Sequence, residues 1–418
     1  MEPLVSDTHP LIHPSSLWKP AFPMSTVSLK RGRAKPFFYG HPWVFSGSVA
    51  RFEGTPADGE LVTVVDDRGN FVAKGFYNGR SQIRVRLATW NPDEAVDAAY
   101  FERRLRLAVQ LRENTLGLPA HTDAYRLVYS EGDGLPGLIV DRYADWLVVQ
   151  ILSFGFATRK ADIVAALQSV CPGRHVFERS DSDVAEKEGI EPAVGPLAGP
   201  EPPELVPVTI HGIRLLVDLR HGQKTGLFLD QRDNWRAVVP YAEGRRVLDC
   251  FAYTGAFALF ASVLGKAASV LAVEMSESAL ALARRNAELN GAGNIEFCQG
   301  NVFGEMRRLR AEEQTFGLII LDPPKFARST GDIESALRGY KDINLIAMQL
   351  LEPGGILVTC SCSQHVDDAM FVGMLNEAAF DTSREVQVIE RRSQAPDHPV
   401  SVTCPESRYL KCYLCRVL

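Results

Sequence analysis

Short apolar runs alternate with helical segments from Arg246 to the end of the chain, and this alternation constrains the fold most. Parallel strands need a long crossover between them, and an amphipathic helix supplies it. We predict strands, in chain order, at residues 247–250, 270–274, 295–299, 318–322 and 356–362. The pattern predicts an α/β fold with a doubly wound, Rossmann-like sheet, in which ligands bind at the carboxyl ends of the strands.

Boundary signals define two of the helices in this region. The helix 277–289 begins after Ser276, a good N-cap residue, and ends at the Asn-Gly pair 290–291. Another helix runs to Leu351 and is stopped by the Pro-Gly-Gly sequence 353–355.

A small β domain is predicted near the start of the chain. The 418 residues are too many for one core and indicate two to three domains. Strand-like runs lie at 61–65, 71–77 and 83–88, so we assign residues 25–96 to this domain. In the last run apolar residues alternate with arginines, which predicts one buried face and one face that carries the arginines.

A second, central α/β domain is predicted over residues 97–207. It opens with a helix at 97–116, and its remaining elements are strands at 125–129, 137–141, 146–152 and 175–179 and a helix at 157–170. Residues 191–207 contain six prolines in 17 positions, too many for a helix or a central strand. We interpret them as the linker to a third domain over residues 208–418.

The first 24 residues are predicted to be a flexible extension. They contain five prolines and no basic region followed by an apolar one, so they do not resemble a secretory signal. No stretch approaches the ~20 apolar residues that span a bilayer. Eight cysteines in so long a chain do not form a disulfide framework, and we expect a cytoplasmic protein that does not bind membranes.

The positive charge is concentrated near the start of the chain. Residues 25–112 contain 14 Lys and Arg against 9 Asp and Glu, although the whole chain has a net charge of −6. A local surplus of positive charge matters more than the total when phosphates are bound. We predict phosphate contacts for Lys30, Arg31, Arg33 and Lys35, and the alternative is a solvated basic face.

The loop after the first strand of the α/β region is a candidate cofactor site. Its candidate contacts are Asp249, Phe251, Tyr253, Thr254 and Gly255. Glycine allows the closest approach of backbone to a ligand. The loop lacks the G-x-G-x-x-G of dinucleotide binders, which disfavours NAD.

Two polar residues follow the next two strands. Glu274 is placed to accept both hydroxyls of a ribose, and Asn301 is placed to hydrogen-bond an adenine edge. Either residue alone has an ordinary explanation, as a solvated charge or a turn residue. Together with the loop they indicate an adenosyl cofactor without a pyrophosphate, and S-adenosylmethionine fits that description.

A carboxylate and a lysine follow the fourth strand, in Asp322-Pro323-Pro324-Lys325. The two prolines end the strand and fix an extended loop behind Asp322. Enzymes that methylate exocyclic amino groups usually have an aromatic residue where this chain has Lys325, which argues against an amino target. We expect an apolar pocket to keep Asp322 protonated so that it hydrogen-bonds a base. The alternative is that Asp322 only caps the loop.

Two cysteines end the fifth strand on the same side. A cytosine C5 becomes nucleophilic enough to accept a methyl group when a thiolate adds to C6. Cys362 is the candidate nucleophile because it is nearer the strand end, whereas Cys360 is interpreted as a structural thiol. A structural role is also the alternative for Cys362. Asp397, His398, Glu406 or a water molecule are the candidates for accepting the C5 proton.

No metal site is predicted. Cys412 and Cys415 form a C-x-x-C motif, but no second pair completes a zinc site. We expect both residues to pack in a terminal strand.

These residues lie in motifs that resemble those of the ribosomal RNA large subunit methyltransferase I family, the 23S rRNA cytosine-C5 enzymes. The likeness covers nearly everything after Met24. The motifs, by residue number, are 29–33, 41–45, 132–137, 221–226, 229–232, 322–326, 339–344, 361–363 and 397–400. A departure is Gln364-His365, where the family tends to have glycine and an apolar residue, so the edge of the base pocket can differ.

The resemblance implies a fold, a cofactor and a partner. It implies an N-terminal PUA domain, a central domain and a class I methyltransferase domain that binds S-adenosylmethionine. It also implies that Lys224, Asp230 and Asp322 contact the cofactor. Cys362, Asp322 and Lys325 are then the catalytic residues. The expected partner is 23S rRNA, free or in a large-subunit precursor, and a homodimer is compatible with the sequence.

Two other kinds of function compete with this one. The first is an RNA-binding or assembly factor that keeps the fold without catalysis. The second is a methyltransferase for guanine N2 or a small molecule. Lys325 and Cys362 disfavour guanine N2, and the PUA-like segment disfavours a small molecule.

Overall fold

Three β-sheets and one hairpin contain the strands of the computed structural model, which describes residues 24–327 and 329–418. Strands are numbered β1–β20 and helices α1–α11 in chain order. The extension predicted over residues 1–24 lies outside the described residues, apart from Met24. In the described part of the chain, no helix is both long and apolar enough to cross a membrane.

The first sheet has six strands. They are β1 Thr26–Leu29, β2 Trp43–Phe45, β3 Val49–Glu53, β4 Leu61–Val65, β5 Phe71–Tyr77 and β6 Ile83–Thr89, with the short helix α1 at Lys35–Phe38. Their order in the sheet is β2-β6-β5-β4-β1-β3. The three strands predicted in this region are confirmed as β4, β5 and β6, and Val27, Val62 and Val85 pack in the core that they share.

The face of β6 that carries the arginines is not open to solvent, because Arg86 is buried and Arg84 is half-buried. Arg86 is buried, with its guanidinium 2.9 Å from a Glu188 carboxylate oxygen and 3.4 Å from one of Glu131. Both glutamates belong to the segment that forms the second sheet. This face of β6 is therefore an interface between sheets, where a buried cation needs carboxylate partners.

The second sheet has five strands and is bordered by four helices. Its elements are α2 Ala98–Gln110, β7 Ala124–Tyr129, β8 Leu138–Tyr143, β9 Trp146–Ile151, α3 Phe154–Ala157, α4 Lys160–Val170, β10 His175–Arg179, α5 Asp183–Lys187 and β11 Val194–Ala198. Their order is β11-β10-β9-β8-β7. The four predicted strands are confirmed. The helix predicted at 157–170 is α4, which begins at Lys160 because residues 158–159 form a turn after α3.

The segment 191–207 is not only a linker. Strand β11 lies within it and pairs antiparallel with β10, Pro196 being opposite Phe177. Because β11 is an edge strand, one side of it needs no N–H donors, and a proline is tolerated there. The segment also contains the start of β12 Val206–Ile210, which forms a hairpin with β13 Ile213–Val217.

The third sheet has seven strands and is flanked by helices. Its elements follow α6 Arg232–Ala237 and are β14 Arg246–Cys250, α7 Ala256–Leu259, β15 Ser269–Glu274, α8 Glu277–Leu289, β16 Ile295–Gln299, α9 Val302–Ala311, β17 Phe316–Leu321, α10 Ile333–Leu350, β18 Leu351–Ser361, α11 Asp368–Thr382, β19 Val386–Arg392 and β20 Lys411–Val417. The order is β16-β15-β14-β17-β18-β20-β19, with β20 antiparallel to both of its neighbours. The predicted doubly wound sheet is confirmed.

Both faces of the third sheet are covered by apolar side chains. On β17, Leu318 and Ile320 pack on one face, and Ile319 and Leu321 pack on the other. The strand order reverses between β14 and β17, so the carboxyl ends of these two strands border the crevice that such folds use for ligands. Of the predicted site residues, Asp249 lies near the end of β14, residues 251–255 follow β14, and Asp322 follows β17.

The C-x-x-C motif is part of strand β20. Cys412 lies opposite Cys360 on β18, and Cys412 and Cys415 pack into cores on opposite faces of the sheet. Side chains three positions apart in a strand point to opposite faces and cannot chelate one ion. The prediction of a packed terminal strand is confirmed.

Candidate active site

The loop after β14 is a tight turn with unusual backbone angles. Phe251, Tyr253 and Gly255 have φ angles of 63°, 48° and 82°. Only glycine adopts such angles without strain, and strained residues are concentrated at functional sites. The predicted cofactor loop is therefore held in a costly conformation at the carboxyl edge of the sheet.

The carboxylate of Glu274 ties this loop to the end of β15. One carboxylate oxygen accepts a hydrogen bond from the Tyr253 amide at 3.0 Å. The other accepts the amides of Met275 at 2.9 Å and Ser276 at 3.0 Å. A carboxylate has further lone pairs, so these bonds orient Glu274 and leave capacity for a ribose hydroxyl.

Two buried oxygen atoms beside the loop have no hydrogen-bond partner among the described residues. They are Asp249 Oδ1 and Thr254 Oγ1. The other oxygen of Asp249 accepts the Ala258 amide at 3.0 Å, and burial raises the pKa of this carboxyl well above its usual range. Buried polar atoms are normally hydrogen-bonded, so these two indicate a ligand with donor groups. S-adenosylmethionine has such donors in its ribose hydroxyls and its ammonium group.

Asn301 is the N-cap of helix α9. Its side-chain oxygen accepts the Gly304 amide at 3.2 Å, and the residue is exposed. The capping bond explains why an asparagine is suited to this position without any ligand. Its contact with adenine remains a prediction.

An ionic cluster near the site is formed by Lys224, Asp230 and Tyr409. The Lys224 ammonium lies 2.8 Å from a carboxylate oxygen of Asp230, which also accepts the Tyr409 hydroxyl. Burial opposes ionisation of Asp230, but Lys224 and His398 nevertheless lower the pKa of this carboxyl below its usual range. The second carboxylate oxygen of Asp230 is buried and has no partner among the residues described.

Gln231 holds the carboxyl group of Asp322. Its side-chain nitrogen donates to Asp322 Oδ1 at 2.8 Å, and its oxygen accepts the Asn234 amide at 2.7 Å. Asn234 is oriented in turn by Arg392, whose Nε donates to its side-chain oxygen at 2.9 Å. This chain of donors fixes the direction of the Gln231 carboxamide, so one oxygen of Asp322 is always an acceptor.

The pKa of Asp322 is raised to about 7. Burial is the main cause and the negative charge of Asp230 adds to it, whereas Gln231 and Lys224 act in the opposite direction. This is the direction expected for a carboxyl group that donates a hydrogen bond near neutral pH.

Cys362 lies between two anchored serines just beyond β18. Ser361 and Ser363 both hydrogen-bond the Tyr340 hydroxyl at 3.0 Å. The Ser363 carbonyl also accepts the Lys411 ammonium at 2.7 Å. The backbone on either side of Cys362 is thereby fixed, which pre-organises the thiol.

The two candidate cysteines have different surroundings. Cys360 is fully buried against Cys412, whereas Cys362 keeps some exposure. The pKa of Cys362 is raised to about 11, by burial and by the charges of Asp322 and Asp230, while the positive charges of Lys224 and Lys325 lower it. Lys325 itself is exposed. The exposure of Cys362 agrees with its assignment as the reactive thiol.

The candidates for accepting the C5 proton are held in other contacts. Asp397 is buried, 2.6 Å from an Arg232 guanidinium nitrogen and 3.0 Å from Nδ1 of His398. Burial opposes its ionisation, but His398 and Arg232 lower the pKa of Asp397 below its usual range. Such a carboxylate is a weak base, and the arrangement fits a structural role.

Glu406 belongs to the one group of described residues whose geometry could suit a metal ion, which also includes His41 and Cys404. His41 Nδ1 accepts the Trp43 amide at 3.2 Å, so in the neutral ring the proton is on Nε2. Nε2, which then carries the proton, faces a Glu406 carboxylate oxygen at 3.4 Å. A metal ion at Nε2 would require the opposite tautomer, and the group is better explained as a polar contact.

Three residues of this region were not predicted from the sequence. Gln231, Tyr409 and Met275 contact or border the site, and Met275, directly after Glu274, has 67% of its surface exposed. The position of Met275 directly after the predicted ribose contact is a signal that the sequence offered. Gln231 lies 91 positions from Asp322, and nothing local in the sequence connects them.

Comparison with known proteins gives consistent results. Residues 173–415 match the profile of a family described as S-adenosylmethionine-dependent methyltransferase, and residues 27–90 match a PUA-like domain. The ribosomal RNA large subunit methyltransferase I of Erwinia tasmaniensis is 47% identical over 392 residues, covering 93% of this chain and 98% of that protein. The Escherichia coli O9:H4 protein of the same name is 45% identical with the same coverage.

Solved structures have the same fold. A candidate SAM-dependent methyltransferase from Streptococcus mutans superposes with a TM-score of 0.80 at 21% identity, over 94% of this chain and 99% of that chain. The crystal structure of a candidate methyltransferase complexed with SAH gives 0.81 at 22% identity, with the same coverage. These two likenesses show the fold alone.

Proposed function

This chain belongs to the S-adenosylmethionine-dependent ribosomal RNA large subunit methyltransferase I family, and we propose that it methylates C5 of a cytosine in 23S rRNA. The observation that supports this most is the pairing of two groups at adjacent strand ends. Asp322 has a pKa near neutrality, and Cys362 is a partly exposed thiol whose pKa responds to the charge of Asp322. Addition of a thiol to a pyrimidine needs a nucleophile and a proton donor on the same base.

The cofactor would be held by residues from three loops. Glu274 would accept the ribose hydroxyls, and the unpaired oxygens of Asp249 and Thr254 would accept donors of the cofactor. Lys224 and Asp230 are proposed contacts on the opposite border of the site. When bound, S-adenosylmethionine supplies an electrophilic methyl group.

The first step is addition of the Cys362 sulfur to C6 of the cytosine. The thiolate forms the S–C6 bond, and Asp322 donates its proton to N3, where negative charge would otherwise develop. Gln231 keeps Oδ1 of Asp322 as an acceptor, so the proton is on the other oxygen. The ring becomes an enamine, and its C5 carries the electron pair that would form the bond to the methyl carbon. The bond between that carbon and the sulfonium sulfur would break at the same time, its electron pair staying on the sulfur of S-adenosylhomocysteine.

The second step restores the aromatic ring. The proton on C5 leaves to an acceptor, the S–C6 bond breaks, and Cys362 departs as a thiolate. N3 returns its proton to Asp322. Because Asp397 is ion-paired and buried, a water molecule is the acceptor that we favour for the C5 proton.

The substrate would be held by the basic start of the chain. Lys30, Arg31, Arg33 and Lys35 are exposed, and none of them forms an ion pair with a carboxylate among the described residues. Cations free of carboxylate partners are available for phosphates. The RNA could be free or part of a large-subunit precursor.

Trapping with 5-fluorocytosine tests the covalent mechanism. A base can remove a proton from C5 but cannot remove a fluorine atom in its place. The methylated adduct should therefore persist as a protein–RNA band on a denaturing gel. The wild-type protein and Cys360→Ala, the matched control, should give this band with cofactor present. Cys362→Ala should give neither the band nor 5-methylcytosine.

Each failure has a distinct meaning. Methylation by Cys362→Ala would contradict the assignment of the nucleophile and make Cys360 the next candidate. Methylation of another base, found by mass spectrometry of nucleosides, would contradict the proposed target. Cofactor binding without turnover on any ribosomal RNA would favour a non-catalytic assembly factor.

A further inference from the structure

Exposed apolar side chains are concentrated where the first sheet meets the C-terminal loop 400–406. In the part of the chain that the structure describes, seven large apolar residues are more than half exposed, and three of them lie here. They are Phe38 at 52%, Tyr39 at 71% and Val402 at 95%. Val402 is more than 360 positions from the other two in the chain, so only the fold brings it to the same region.

Direct contacts join the two segments that carry these side chains. A Cβ atom placed on Gly40 would lie 3.1 Å from Thr403 Cγ2, so the backbone after Tyr39 runs against the residue after Val402. His41 Nε2 lies 3.4 Å from Glu406. We call this region, defined by Phe38, Tyr39 and Val402, the apolar rim.

The loop that carries Val402 is hydrogen-bonded to the segment that follows Cys362. The side-chain nitrogen of Gln364 donates to the Glu406 carbonyl at 3.1 Å, and Gln364 is two residues beyond Cys362. Loop 400–406 thus contacts the segment just after α1 on one side and the segment just after Cys362 on the other. A strand that crosses the rim can lead into the candidate active site.

Positive charge accompanies the rim. Lys35 Nζ lies 6.0 Å from the centre of the Tyr39 ring, and Arg31 and Arg33 are exposed a few residues before it. Exposed aromatic rings beside unpaired cations match a nucleic-acid strand, whose bases stack and whose phosphates are negative. A protein partner with an apolar face would not require these cations.

We propose that the apolar rim is a stacking surface for an unpaired RNA segment that flanks the target cytosine. Bases in a duplex are already stacked on each other and do not expose their faces, whereas unpaired bases do. The target cytosine must itself leave any stack before Cys362 can reach C6. The inference rests on the proposed function for the identity of the RNA, but the stacking surface can be tested without methylation.

The experiment compares single-stranded and duplex RNA. Binding of a 12-nucleotide RNA without self-complementarity, and of the same strand annealed to its complement, is measured by fluorescence anisotropy at several salt concentrations. The variants are Tyr39→Ala, Phe38→Ala and Tyr39→Trp, and the matched control is Phe380→Ala. Phe380 is 84% exposed on α11, outside the rim.

Loss of each ring should weaken binding of the single strand about tenfold, the range for one stacked base, and should leave duplex binding unchanged. Tyr39→Trp should retain the wild-type affinity, and the salt dependence should stay the same because no charge is removed. Equal losses for both RNAs, or none for the single strand, would overturn the proposal. So would a fall in dimer content of Tyr39→Ala in sedimentation without a change in RNA binding, because the rim would then contact a second copy.

Failure of this inference is distinguishable from failure of the proposed function. If the wild-type protein makes 5-methylcytosine but Tyr39→Ala binds RNA normally, only the stacking surface is wrong. If Tyr39→Ala loses single-strand binding but the wild-type protein makes no 5-methylcytosine, only the proposed reaction is wrong.

Discussion

At the scale of single residues, the pKa values of Asp322 and Cys362 determine how the reaction should depend on pH. The pKa of Asp322 is about 7 and that of Cys362 about 11. Between these values the free protein is mainly a thiol with a carboxylate. The reactive form has a thiolate and a protonated carboxyl, and it carries as many protons as the main form. The ratio of the two forms therefore does not change with pH in that range.

A pH profile of single-turnover methylation tests this argument. Below pH 7 both groups are protonated and one proton must leave, so the rate should rise tenfold per pH unit up to about pH 7 and then become flat. The pH at which the rate stops rising is called the break. Asp322→Asn should be slower than the wild type, and its rate should continue to rise above pH 7 without a break. A break that persists in this variant would assign it to another group. Cys360→Ala is the control and should keep the wild-type profile.

Gln231 should move the same break without removing it. Its hydrogen bond lowers the pKa of Asp322, so Gln231→Leu should raise that pKa and shift the break to higher pH. A residue with only a packing role would lower the rate and leave the break where it is.

At the scale of elements, the loop after β14 and the end of β15 act together. Glu274→Ala removes the acceptor for the Tyr253 amide as well as the proposed ribose contact. We expect S-adenosylmethionine affinity in isothermal titration to fall by roughly 1–3 kcal/mol, the value of a lost charge-assisted hydrogen bond. Glu277→Ala, which removes an exposed carboxylate at the start of α8, should bind as the wild type does. Unchanged affinity in a folded Glu274→Ala would remove Glu274 from the site.

The sequence predicted elements well where local signals were strong. The helix at 277–289 and the strand at 295–299 have the predicted bounds, since a serine N-cap and short apolar runs determine them locally. Strand β11 was missed because its proline is acceptable only at an edge, and edge position depends on pairing with β10. Gln231 was missed for the same kind of reason, because its role depends on a contact with a distant residue.

At the scale of the whole molecule, a buried ion pair joins the first sheet to the second, and a buried hydrogen bond to an ion-paired carboxylate joins the second to the third. Arg86 of the first sheet pairs with Glu188, and Asp397 of the last segment pairs with Arg232 and accepts the backbone amide of Arg126. Buried pairs are sensitive to geometry and disfavour other arrangements of the same parts. The basic start of the chain is thereby held in a defined place relative to the site.

We propose residues 25–96, 97–207 and 208–418 as the domain limits.

The salt dependence of RNA binding reports whether this basic segment contacts phosphates. Each phosphate contact with a single strand contributes about 0.7 to the slope of log affinity against log salt. Replacing Lys30, Arg31, Arg33 and Lys35 by glutamine should therefore flatten the slope by up to about 3 and leave cofactor affinity unchanged. Arg103→Gln with Arg106→Gln is the matched control, because those arginines on α2 already pair with Glu94 and Glu102. If the four substitutions leave the slope as it was, the segment is a solvated basic face, and the RNA must reach Cys362 across another surface.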